Sequence, residues 1–139
     1  MEWIEWNGPP TVHTIDFMEG LCRRILEEVS FSHTDRLLFA VHEGLINAVE
    51  ATKVAYGQTL AHPISIRIAA NGGLAEIQIS DSAGGISAQS LQKLETGGLG
   101  DALLEESGRG LLLIKHLADE VFYQVEGDMT TLIIRKRGN

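Results

Sequence analysis

The sequence predicts an α+β fold, a two-layer sandwich in which helices pack on one face of a mostly antiparallel sheet. Two turn signals, Asn71-Gly-Gly73 and Gly127-Asp128, each lie between short segments of alternating apolar residues, a pattern typical of β-hairpins. Other segments repeat apolar residues at helical spacing. Because hairpins join antiparallel strands, we expect the helices to cover the sheet from one side rather than alternate with parallel strands.

The first elements are a short strand and a helix. Residues 1–6 are expected to form an edge strand that ends at Asn7-Gly-Pro-Pro10, and a helix should run from about Val12 to Val29. The only cysteine, Cys22, lies on the apolar stripe of this helix, so we expect a buried thiol in a cytoplasmic protein rather than a nucleophile. The stripe consists of Ile15, Met18, Cys22, Ile25, Leu26 and Val29.

The second helix should end near Ala55. Ser32 and Asp35 fit a variant of the capping box at its start. Its core-facing residues are Leu37, Leu38, Val41, Leu45, Ala48 and Val49. The later elements are strands over 64–68 and 75–79, a polar loop over 87–107, a helix over 111–119, and strands over 121–125 and 130–135.

Length and charge limit the classes of function. A chain of 139 residues is expected to form one domain, and it has no apolar run of the roughly 20 residues that a membrane span needs. Its start lacks the basic residues of a signal peptide. The net charge of −8 argues against a general nucleic-acid binder and would suit a basic protein partner. The five histidines show no spacing typical of metal ligands.

Glu43, Asn47 and Glu50 form the first candidate site. Their i, i+4, i+7 spacing places them on one face of the second helix. The Asn47 oxygen is a suitable Mg²⁺ ligand beside phosphate oxygens, and Glu43 could orient or deprotonate a nucleophile that attacks a γ-phosphate. Polar residues on the solvent side of any amphipathic helix share this spacing, so that interpretation also stays open.

Asp81 begins the second candidate, followed by Gly84, Gly85 and Ile86. It shares the parity of Ala75, Ile77 and Ile79, so its carboxylate should point to the buried face at the end of the strand. A buried carboxylate needs a donor, and the amino group of adenine is a good one. An Asx-type turn that closes a strand would explain the same residues.

The third candidate, Gly108-Arg109-Gly110, precedes the apolar segment that starts at Leu111. The N-terminus of a helix presents free N–H groups to anions, glycines would let phosphates approach, and Arg109 adds a cation. The segment lacks the spacing of a P-loop. A glycine-containing helix start with no ligand remains the alternative.

Together the three strings resemble the Bergerat-type ATP-binding fold of the GHKL superfamily, and most closely its bacterial anti-sigma-factor serine/threonine protein kinases. The segment 40–50 is similar to the N box of the family, 81–86 to its first glycine box and 108–119 to its second. The resemblance covers essentially the whole chain. It implies an ATP-binding domain over 1–139 with a lid over the phosphates at about 91–108.

The resemblance also implies roles for individual residues. Asn47 would bind Mg²⁺, Glu43 would act as general base and Asp81 would recognise adenine. The implied nucleotide contacts are Asn47, Asp81, Gly85, Ile86, Gly108, Arg109, Gly110, Leu111 and one of Thr130 and Thr131. The implied partners are a STAS-type antagonist protein, which is phosphorylated, and a sigma factor, which is sequestered, with a homodimer as the expected assembly.

Two departures from the family pattern leave alternatives open. Ala83 and Met129 stand where the family usually has glycine. A binding switch that holds nucleotide and partner without phosphate transfer is therefore a second hypothesis. The catalytic domain of a histidine kinase is a third, disfavoured because no dimerisation helix with a phosphoacceptor histidine precedes residue 37.

Overall fold

The computed structural model describes residues 2–57, 61–83 and 106–138, with backbone alone for 106–109, and confirms the α+β sandwich. The elements are β1 (Ile4–Gly8), α1 (Val12–Glu28), α2 (Thr34–Tyr56), β2 (Ile64–Ala70), β3 (Leu74–Asp81), α3 (Glu106–Leu117), β4 (Glu120–Glu126) and β5 (Met129–Arg137). All strand pairs among these are antiparallel, in the order β1-β2-β3-β5-β4. β3 therefore lies in the centre of the sheet, and β4 forms an edge.

Helix α2 organises the helical layer. It packs against α1 and α3 and contacts β2, β3 and β5. The predicted stripes are confirmed, since most of their apolar side chains lie in the core between the two layers. The stripe residues buried there are Ile15, Met18, Cys22, Leu26, Leu37, Leu38, Val41, Leu45, Ala48 and Val49. Within the described residues, no helix has both the length and the apolar composition needed to cross a bilayer.

The capping box predicted for α2 is wrong. Its N-cap residue, His33, makes no side-chain capping hydrogen bond. The Ser32 hydroxyl donates instead to the carbonyl of Gly138, and the Asp35 carboxylate accepts from Arg23 at 3.1 Å. These partners are distant in sequence, so tertiary contacts take the side chains that a local pattern assigns to the cap.

Two element boundaries also differ from the prediction. β1 extends to Gly8, because Gly8 still pairs with Ile64, and the following prolines end it. α3 begins at Glu106, five residues before the predicted start at Leu111. Glycine is a poor helix former, so Gly108 and Gly110 led to a predicted start of the helix after them. Packing of a helix face commonly overrides this propensity.

The packing of α1 makes a prediction about Cys22. The thiol is fully buried, and burial, with a smaller contribution from the charge of Glu19, raises its pKa to about 12. Because the thiolate is the reactive form, we expect no labelling by a thiol reagent at pH 8 in the folded protein. One thiol per chain should react once guanidinium unfolds it. Rapid stoichiometric labelling of the native protein would contradict this packing.

Candidate functional site

The polar face of α2 meets the backbone of α3 at Gly110. A methyl group added at Gly110 would lie 3.3 Å from Asn47 Nδ2 and 3.3 Å from Glu43 Oε2, closer than side chains ordinarily approach. Glu43 and Asn47 thus lie on one face of α2, one turn apart, and both contact the start of α3. Glu50, two turns from Glu43, is exposed.

The amide of Asn47 is incompletely hydrogen-bonded. Its Nδ2 atom is buried and has no hydrogen-bond partner among the described residues. Leaving a buried donor unpaired costs about 1–3 kcal/mol, so each such group in a folded protein calls for an explanation such as a ligand or ion. The unpaired Nδ2 atom lies at the contact between α2 and α3, and the Glu43 carboxylate lies at the same contact.

The second part of the site lies at the end of β3. Asp81 is 4% exposed and points to the helical side of the sheet, as its parity predicts. The backbone N–H of Ala83 donates to Asp81 Oδ1 at 2.8 Å, and the Thr130 hydroxyl donates to the same oxygen at 3.2 Å. The predicted burial of the carboxylate and the predicted Asx-type turn are therefore both present, and the backbone of Ala83 and the hydroxyl of Thr130 supply its donors.

Of the two threonines on β5, Thr130 faces the site. Register places it directly opposite Asp81, and it is 8% exposed. Thr131 points to the other face of the sheet, where its hydroxyl lies 2.8 Å from that of Ser80. Thr131 is therefore not part of this cleft, since successive residues of a strand point to opposite faces.

Sequence reasoning did not assign five residues to the cleft between α2 and the sheet: Gly44, Ala48, Ile79, Tyr123 and Leu132. A methyl group at Gly44 would lie 2.7 Å from Ile79 Cδ1, so glycine lets α2 approach β3 closely. A glycine inside a helical pattern is a recognisable signal for such contact. Tyr123 could have been found from its place in the alternating pattern of β4.

The hydroxyl of Tyr123 lies beside the polar groups of the cleft. It hydrogen-bonds to the Thr130 side chain, and it is close enough to Asp81 to interact electrostatically. Burial raises the pKa of Tyr123 above its ordinary value, the bond with Thr130 opposes this, and the negative charge of Asp81 adds to the increase. Tyr123 therefore stays a neutral phenol at physiological pH.

Tyr56, the last residue of α2, helps to fix the backbone that follows Asp81. The Tyr56 hydroxyl donates to the Ser82 carbonyl at 3.1 Å, and the Tyr56 ring stacks on His62 with centroids 3.6 Å apart. The Ser82 hydroxyl lies 3.4 Å from His62 Nδ1. These contacts fix the path of the chain as it leaves the central strand.

The structure places the remaining predicted residues as follows. Gly85, Ile86 and residues 91–105 of the predicted lid lie outside the described residues. Gly108 and Arg109 lie in the first turn of α3 rather than before it, and the N–H group of Gly108 is among those that a helix start leaves unpaired internally. The Leu111 side chain belongs to the hydrophobic core.

The polar side chains of this site fit Mg²⁺ that is bound together with phosphates better than they fit a metal ion held by protein ligands alone. In the described parts of the chain, no three His, Cys, Asp or Glu side chains are placed to hold a metal ion. Mg²⁺ commonly uses one or two protein oxygens and completes its shell with water and phosphate oxygens. Asn47 and Glu43 could supply such oxygens.

The contact at Gly110 predicts a difference between two glycine substitutions. Gly20, on the exposed side of α1, has nothing within 4 Å of an added methyl, so Gly20→Ala should stabilise the protein by about 0.5–1 kcal/mol. Gly110→Ala should be less stable than Gly20→Ala by at least about 1 kcal/mol, because the methyl presses on Asn47 and Glu43. Urea denaturation measures both, and equal stabilisation would contradict the close contact.

The comparisons with known proteins agree with this fold. A sequence profile described as the histidine kinase-like ATPase domain matches residues 11–136. No curated protein shows significant sequence similarity. Among solved structures, a chain from the crystal structure of the SiaB–SiaC complex from Pseudomonas aeruginosa matches with a TM-score of 0.72 and 18% identity, over 95% of this chain and 88% of that chain, which indicates a shared fold. Because the profile spans nearly the whole sequence, the chain belongs to the histidine kinase-like ATPase domain family.

Proposed function

We propose that the protein is an ATP-dependent serine/threonine protein kinase that phosphorylates a STAS-type antagonist protein and sequesters a sigma factor. The observation that carries this proposal is the placement of Glu43 and Asn47 together against Gly110 of α3. This contact combines a carboxylate, an amide and an early turn of a helix. A kinase needs such groups to receive a proton, to help hold Mg²⁺ and to bind phosphate.

Asn47 has two functions in this proposal. Its oxygen helps to hold Mg²⁺, which neutralises phosphate charge when bound. Its buried Nδ2 donates to a phosphate oxygen, which removes the cost of the unpaired donor. The unpaired first-turn N–H groups of α3, including that of Gly108, offer further donors to the phosphates.

Glu43 acts as the general base. Its carboxylate receives the proton of the attacking serine or threonine hydroxyl as the phosphate is transferred. Glu43 suits this role better than Glu50, because Glu43 contacts the start of α3 and Glu50 is exposed on another turn. The two residues therefore make a matched pair for substitution.

Asp81 and Thr130 select the base. The Asp81 carboxylate accepts a hydrogen bond from the amino group of adenine, and Thr130 holds that carboxylate in place through its hydroxyl. The Ala83 amide also fixes the carboxylate, so its orientation is set before a base arrives. Preorganised groups of this kind lower the free-energy cost of binding.

Three observations support a protein partner. The structural neighbour was solved as a complex, SiaB–SiaC, and the three sequence strings resemble those of anti-sigma-factor kinases. The net charge of −8 would suit a partner with a basic surface. In this proposal the 139 residues act as one ATP-binding domain, and the protein functions as a homodimer in the cytoplasm.

Glu43→Gln tests the kinase reaction. The substitution keeps the shape of the side chain and removes its basicity, so transfer from radiolabelled ATP to a STAS-type antagonist should fall by at least about a hundredfold, while ATP binding stays near the wild-type level. Glu50→Gln, the same change at an exposed position, should leave transfer unchanged.

The outcomes separate the competing functions. Wild-type transfer rates in Glu43→Gln would remove Glu43 as the base, and loss of transfer in Glu50→Gln would assign that role to Glu50. Binding of antagonist and ATP by the wild type, with no transfer to any cognate antagonist, would show a binding switch instead. Phosphate found on a histidine would favour the histidine-kinase hypothesis.

A further inference from the structure

The cleft that contains Asp81 and Thr130 is nearly filled by protein. Its volume is about 10 Å³, room for roughly one water molecule. Sites for organic ligands usually measure about 300–1,000 Å³. Among the described residues, its walls are formed by Gly44, Asn47, Ala48, Ile79, Asp81, Tyr123, Thr130 and Leu132. A nucleotide base can enter between these residues only if one of the walls moves.

Most of the walls are difficult to move. Ile79 and Leu132 are 2% and 5% exposed and belong to the hydrophobic core. Gly44 already brings α2 into close contact with both of them. Thr130 and Asp81 are hydrogen-bonded to each other on paired strands. Moving any of these residues would open the interface between the helices and the sheet.

Tyr123 is less constrained than these wall residues. It is the largest residue of the wall, it is half-buried, and it lies on β4, which among the described strands pairs with β5 alone. Rotation about its side-chain bonds would carry the ring toward solvent without moving the backbone, because side chains change between staggered rotamers. Its displacement requires the smallest rearrangement of the fold.

Tyr123 also uses the polar groups that a base would need. The register partner of Tyr123 on β5 is Leu132, and Thr130 lies two residues from Leu132 on the same strand. The Tyr123 hydroxyl hydrogen-bonds to the Thr130 side chain. Thr130 in turn donates to Asp81. The tyrosine and an adenine base therefore compete for the same space and the same pair of side chains.

We propose that Tyr123 occupies the base position of the cleft and must swing outward before a nucleotide binds, so that its contact with Thr130 and Asp81 sets the nucleotide affinity. The proposal rests on the nucleotide binding proposed above. Minor conformations of proteins commonly hold about 0.1–10% of the population. If the open form is one of these minor conformations, the apparent affinity for nucleotide equals the intrinsic affinity of the open form multiplied by its fraction of the population.

Tyr123→Ala should therefore bind ATP more tightly than the wild type in the presence of Mg²⁺, by at least about tenfold. Tyr123→Phe, which loses the hydroxyl but keeps the ring, should show a smaller gain. Phe122→Ala removes a ring from the same strand on the opposite face, and its affinity should match the wild type. Isothermal titration calorimetry measures all four proteins, with circular dichroism to verify folding.

A second measurement uses the wild type alone. The chain has two tyrosines, and Tyr56 is 44% exposed. Nitration by tetranitromethane, mapped by mass spectrometry, should increase at Tyr123 relative to Tyr56 when Mg²⁺ and ATP are added. This result does not depend on whether a variant folds.

The proposal would be overturned if folded Tyr123→Ala bound ATP more weakly than the wild type or equally well. It would also be overturned if nitration of Tyr123 fell when ATP was added. Either result would leave ATP binding by the protein intact. Absence of ATP binding in both the wild type and Tyr123→Ala would overturn the proposed function itself, together with this inference. Binding detected in Tyr123→Ala alone would support the inference most strongly.

Discussion

The approach of α3 to α2 at Gly110 is the constraint on which the site depends. At this point the backbone of one helix lies against the Asn47 and Glu43 side chains of the other, and an added Cβ atom would lie only 3.3 Å from each of them. The contact brings together two helices that lie about 50 residues apart in sequence. It also encloses the Asn47 amide, whose Nδ2 has no partner among the described residues. The family match covers both helices.

Helix α2 connects this contact to the end of the sheet that carries Asp81. Asn47 faces α3 and the cleft, while Gly44 packs against Ile79 of β3 and Leu132 of β5. The same two strands carry Asp81 and Thr130 as a directly opposed pair. A shift of α2 would therefore change the contact at Gly110 and the cleft at Asp81 together, because packed cores do not deform continuously.

Much of the fold could be predicted from the sequence, because burial on one face imposes a regular spacing. Met18 and Cys22 on α1, and Ile77 on β3, are fully buried as their periodicity indicates. The start of α3 could not be predicted, since the contact that accommodates Gly110 comes from Asn47 and Glu43 of another helix. The choice between Thr130 and Thr131 required the register of β5 against β3, which no local pattern contains.

The most direct test of the nucleotide site is the binding of ATP, measured by calorimetry with and without Mg²⁺, in the wild type and in Asn47→Ala. We expect calorimetry to detect binding of ATP to the wild type only when Mg²⁺ is present. Asn47→Ala should lose about 10–100-fold in that affinity with its circular dichroism unchanged, because it lacks both the proposed metal oxygen and the buried donor. Identical titrations of the two proteins would contradict the assignment of Asn47, and with it the site built around Gly110.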